Sequence, residues 1–92
     1  MSSLPSPRFT AKQGQYLAFI HTYTLLHREA PAEADFQGFF QVTPPAVHDM
    51  IVALERRGLI SRVPRQPRTI TLRVSPEELP TLQPIKTTAA GY

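Results

Sequence analysis

The sequence predicts a mainly α fold with a small β element (α+β): a three-helix bundle followed by a two-stranded antiparallel hairpin. Three observations carry the prediction. Up to Gly58 the apolar residues return at three- and four-residue steps in three successive segments, the pattern of amphipathic helices. Beyond Gly58 the character changes to short alternating runs, "LISRVP" and "RTITLRV", rich in β-branched residues. Finally, 92 residues without a cysteine allow one core and one domain, with no disulfide framework.

The elements follow in order. The first nine residues, with Pro5 and Pro7, read as a flexible N-terminal arm, and residues 10–82 as the domain. Thr10 and Gln13 have capping-box spacing, which starts a first helix at about 11–28. Along it Tyr16, Phe19, Ile20 and Tyr23 share one face, a stripe that reads as core. Gly14 weakens the opening turns, and Leu25 points away from the stripe. A second helix fits about 32–40, with Phe36 and Phe40 one turn apart, and Gln41 and Val42 leave room only for a tight turn. Thr43 then caps a third helix at about 44–57. Pro44 takes its first position, where no N–H is needed, and Gly58 supplies the left-handed residue after its end. Strands are expected at about 59–63 and 69–74, with Ile60, Ile70 and Leu72 facing one side. Pro64 and Pro67 keep the connecting loop out of the sheet. Ser75 and Glu78 open a short turn at 76–79, Leu79 and Leu82 cover the end of the core, and residues 83–92 read as a mobile tail.

Composition argues against chemistry. No apolar run reaches membrane-spanning length and "MSSLPSPRF" lacks the basic-then-apolar pattern of a secretion signal, so a cytoplasmic location is expected, with no membrane partner. Without cysteine there is neither a thiolate metal site nor a cysteine nucleophile. His21, His27 and His48 are scattered, no pair of His, Asp or Glu has zinc spacing, and the four glycines form no phosphate loop. Neither an enzyme nor a cofactor or metal is expected.

Charge and shape argue for binding. Six of the ten basic residues (Arg56, Arg57, Arg62, Arg65, Arg68 and Arg73) lie in one stretch without Asp or Glu, while the rest of the chain is net acidic. A concentrated positive field suits an anionic partner. On the third helix Val47, Met50, Ile51 and Leu54 cluster on one flank, leaving Pro45, His48, Asp49, Val52 and Arg56 on the other. Short side chains near the start, Pro44 and Ala46 among them, permit close approach. A DNA major groove, about 12 Å wide, admits such a helix. Pro45 and Val52 would meet thymine methyls, His48 a guanine or a phosphate, and Asp49 a cytosine amino group, with a phosphate beside the helix start at Thr43. Two helices joined by a tight turn and followed by an arginine-bearing hairpin make a winged helix-turn-helix. Its wing tip, Arg65, Gln66 and Arg68, would hold phosphates or enter the minor groove, with Arg62 extending the backbone contact. The function this predicts is sequence-specific double-stranded DNA binding by a small transcriptional regulator. The alternative is a winged helix that binds an acidic protein partner. A homodimer would read two half-sites, and Leu25 and Leu26 could supply its contact, but the sequence leaves the oligomeric state open.

These residues also carry a resemblance. "FTAKQGQYLAFI" resembles the opening helix of the LexA-type DNA-binding domain, and "FFQVTPPAVHDMIVALERRGLI" resembles the helix-turn-helix of that family and of related MarR- and DtxR-type winged helices. The similarity spans Phe9 to about Leu72. It implies that Thr43 to Val52 is the recognition helix and Pro64 to Arg68 the wing tip. Gln41 stands where the family often has glycine, so a left-handed conformation or a looser turn is expected there, and Ala32 replaces the usual hydroxyl cap. The self-cleaving domain of full LexA repressors has no counterpart in the sequence, so a standalone module is expected and the resemblance gives no support to a damage-response role.

Overall fold

The computed structural model describes residues 8–83. They form α1 (Ala11–His27), α2 (Glu33–Phe40), α3 (Pro44–Arg56), β1 (Ile60–Ser61) and β2 (Thr71–Leu72), then one 3-10 turn at Pro76–Glu78. The expected helices and hairpin are all present. The expectations for residues 1–7 and for the tail from residue 84 onward lie outside the described residues.

Helix α1 begins on a complete capping box: Thr10 Oγ1 accepts the Gln13 N–H at 3.1 Å, and Gln13 Oε1 accepts the Thr10 N–H at 3.0 Å. Its aromatic stripe is core, as its spacing required. Tyr16 stacks on Phe40 with centroids 4.4 Å apart and on Phe36 at 5.4 Å, while Phe19 packs against Phe36, Phe39 and Phe40. Gly14 has a packing reason. A Cβ there would come within 3.0 Å of Pro80 Cγ and 3.1 Å of the Phe9 ring, so glycine lets the chain on either side of the domain close over α1.

Helix α2 keeps half a capping box. Ala32 has no oxygen to offer, but Asp35 Oδ2 accepts the Ala32 N–H at 2.8 Å. The turn into α3 runs through Gln41, whose backbone is left-handed at φ 58. Its side chain ties the turn down by donating from Nε2 to the Gly38 carbonyl at 2.7 Å. Val47, Ile51 and Leu54 bury the inner flank of α3. The helix ends in a Schellman motif around Gly58 (φ 75). The Leu59 N–H reaches back to the Leu54 carbonyl at 3.0 Å, and the Gly58 N–H to that of Glu55 at 2.9 Å.

Strands β1 and β2 pair antiparallel, Ile60 opposite Leu72 and Ser61 opposite Thr71. They are shorter than the expected 59–63 and 69–74. Beyond Ser61 a side chain takes over the ladder: Thr69 Oγ1 accepts the Val63 N–H at 2.9 Å and lies 2.9 Å from the Gln66 carbonyl, to which it donates. Ile60, Ile70 and Val74 are buried, with Leu72 packed beside them.

A C-terminal strap closes the core. Gln15, on α1, acts as a surrogate strand: its Nε2 donates to the Thr81 carbonyl at 3.0 Å and its Oε1 accepts the Gln83 N–H at 2.8 Å. Leu79 and Leu82 pack on the core beneath, as expected. The arm expected at residues 1–9 is attached at its described end. Phe9 packs against the core, Arg8 chelates the Glu78 carboxylate at 2.9 and 3.0 Å, and Arg57 Nη2 donates to the Arg8 carbonyl at 2.8 Å.

Candidate nucleic-acid interface

The outer flank of α3 is where the spacing put it. Thr43, Pro44, Pro45, Ala46, His48, Asp49 and Arg56 are exposed, and Val52 is half-buried. The helix start differs from an ordinary anion site. Pro44 and Pro45 have no N–H, Thr43 Oγ1 accepts that of Ala46 at 3.4 Å, and the Thr43 carbonyl accepts that of Val47 at 3.1 Å. Two of the first-turn amides that usually point at a phosphate are thus absent and a third, that of Ala46, is engaged, while the Val47 N–H makes the first ordinary helical bond. What projects is a small apolar nose, with the Thr43 hydroxyl still able to donate.

The wing lies beside this flank, and Glu33, in the first turn of α2, joins the two. Its Oε2 is 3.5 Å from His48 Nδ1 on α3 and 3.8 Å from Arg62 Nη1 just beyond β1. Arg62 is anchored further by Glu55, with Nε donating to Oε1 at 3.1 Å. At the tip, Val63 to Gln66 turn with Pro64 in second and a left-handed Arg65 (φ 66) in third place, closed by the Gln66 N–H on the Val63 carbonyl at 3.2 Å. That is the arrangement of a type II turn. Gln66 to Thr69 repeat it, with Pro67 second and Arg68 (φ 62) third.

The arginines of the acid-free stretch divide into two groups. Among the described residues, Arg56, Arg65 and Arg73 have exposed side chains without a hydrogen-bond or ion-pair partner. Arg57, Arg62 and Arg68 are held within the fold. The Arg68 guanidinium turns back: Nη1 lies 3.0 Å from Tyr23 Oη, 3.1 Å from Asp35 Oδ2, 3.3 Å from the Ala30 carbonyl and 3.5 Å from Glu29 Oε2. The Tyr23 hydroxyl above all, then the two carboxylates, holds that guanidinium above its ordinary range. Glu29, Glu33, Asp35 and Glu55 were not foreseen as part of this surface. Their partners lie 7 to 39 residues further along the chain, beyond the reach of any local periodicity. Among the described residues no cluster of His, Asp or Glu could hold a metal ion, and no helix is long and apolar enough to cross a membrane.

A tight turn between two helices, the second facing outward, and an antiparallel wing beside it define a winged helix-turn-helix domain. Sequence comparison leads to the same place. The chain is 35% identical over 65 residues to the LexA repressor of Thermosipho melanesiensis, covering 71% of this chain and 33% of that protein. It is 35% identical over 68 residues to the LexA repressor of Thermosipho africanus, covering 74% and 34%. No family model matches. The chain spans about a third of the length of these curated relatives and is similar to them over that third.

Proposed function

We propose that the chain binds double-stranded DNA as a small transcriptional regulator, with α3 in the major groove and the wing on the flanking backbone or minor groove. The observation that carries this reading is the pairing of an outward, proline-led α3 flank with an adjacent wing whose Arg65 has no partner among the described residues. The relatives are named repressors, and the matched third holds this surface. Pro44, Pro45 and Ala46 form an apolar nose for thymine methyls, His48 and Asp49 offer a donor and an acceptor to base edges, and Arg56, Arg65 and Gln66 meet phosphates. Arg62 serves mainly to fix the wing against α3.

The test is duplex binding measured by fluorescence anisotropy over a range of salt concentrations. Affinity should fall by about 0.9 log units per tenfold rise in salt for each phosphate neutralised, and Arg65→Ala should remove about one such increment. Salt-insensitive binding, or binding only to an acidic protein partner after nuclease treatment, would displace this reading. Selection from random duplexes would then give the motif, and its symmetry would show whether one copy or two engage it.

A further inference from the structure

Building on the DNA reading above, we propose that Arg68 is a strut rather than a phosphate contact: Tyr23, Glu29 and Asp35 are positioning residues that grip it and thereby hold Arg65 at the DNA. Charge and location alone make Arg65 and Arg68 look equivalent, three residues apart on one cationic tip. Their surroundings differ. Arg65 has no partner among the described residues, whereas four acceptors from α1, α2 and the loop between them converge on Arg68 Nη1, which carries only two hydrogens. The Arg68 Cζ also stands 6.0 Å from the Tyr23 ring centroid, at the limit of cation–π range. Two carboxylates facing Nη1 offset the charge that Arg68 could give a phosphate and fix the direction of its guanidinium, although Nε and Nη2 keep their hydrogens.

The strut matters because Arg62 holds the base of the wing and Thr69 bonds only within the loop, which among the described residues leaves the polar contacts of the tip with the helices to Arg68. The wing's two strands contribute two residues each, and its tip places two non-glycine residues at positive φ. Left-handed arginines persist only where surrounding contacts hold them. Asp35 links the device to the helix-turn-helix, since the same Oδ2 that accepts from Arg68 also accepts the Ala32 N–H at the start of α2.

A double-mutant cycle in the full chain tests this. A strut predicts coupling. Arg65→Ala should lower affinity on the order of five- to tenfold near 0.1 M salt in the parent, yet add almost nothing in the Arg68→Gln background, where the tip is no longer delivered. Two independent phosphate contacts would instead lose affinity additively. Tyr23→Phe, which leaves every charge in place, should weaken binding; if Arg68 touched phosphate directly, loosening its grip would leave affinity unchanged or raise it. A third measurement needs no DNA. In the free protein, ¹⁵N relaxation at Gln66 should report a more mobile wing in both Tyr23→Phe and Arg68→Gln. An unaltered Gln66 overturns the strut itself, whereas a loosened wing in a chain that binds no duplex overturns only the DNA reading.

Discussion

At the residue scale, the backbone is most constrained where left-handed conformations fall on side chains other than glycine. Gln41 illustrates this in the turn before α3. Its φ of 58 is the left-handed one of the two arrangements, that or a looser turn, expected from its place in the helix-turn-helix pattern. Gln41→Gly should raise stability by on the order of 1 kcal/mol, partly offset by loss of the exposed bond to Gly38, as read from urea unfolding. Arg65 and Arg68 were not recognisable as left-handed, because the third place of such turns favours glycine or asparagine and arginine gives no sign of it. In the core, the fully buried Phe36 touches two of the three aromatic rings of the α1 stripe, those of Tyr16 and Phe19. Phe36→Ala should cost about 3–5 kcal/mol. For a domain this small that is a large share of its stability, and loss of the cooperative thermal transition by circular dichroism is the expected result.

At the element scale, the helices were legible and the sheet less so. Periodicity and caps place α1, α2 and α3 within a residue of their observed ends, since capping groups and the Gly58 terminus act over three or four residues. The strands came out short because a threonine hydroxyl continues the ladder, and no pattern of alternation distinguishes that threonine from its neighbours. The outer flank of α3 was read correctly as exposed, but the loss of its amide donors was overlooked. Two prolines that suit a helix start also strip it of hydrogen-bonding capacity. If α3 reads bases through His48 and Asp49, replacing either with Ala should change preference among duplexes by on the order of 1–3 kcal/mol per good contact. Competition binding with single-base variants measures this. Arg65→Ala should instead weaken all duplexes alike.

At the scale of the whole molecule, two ionisable groups give stability a pH dependence at opposite ends. The Arg8 guanidinium, helped by the Ser75 N–H, holds the Glu78 carboxyl below its ordinary 4.5. The native chain therefore favours the charged form, and this contribution is present above pH 4.5 and lost as pH falls through the lowered value. Burial raises the Tyr16 phenol above 10.0, so its contribution is complete below pH 10 and declines as pH rises past it. Urea midpoints should thus drop at both extremes, and Glu78→Gln should flatten the acid limb alone. The Arg8–Glu78 pair has a topological consequence as well. It sets the entry of the chain beside its exit, and Gln83 lies against Gln15, only five residues, or about 8 Å of helical rise, past Thr10. A short glycine-rich splice could therefore join the two ends of the domain, and new termini could be opened at Arg65 and Gln66. Such a circular permutant should fold with its helices intact while its cut loop can no longer present a continuous finger to a ligand.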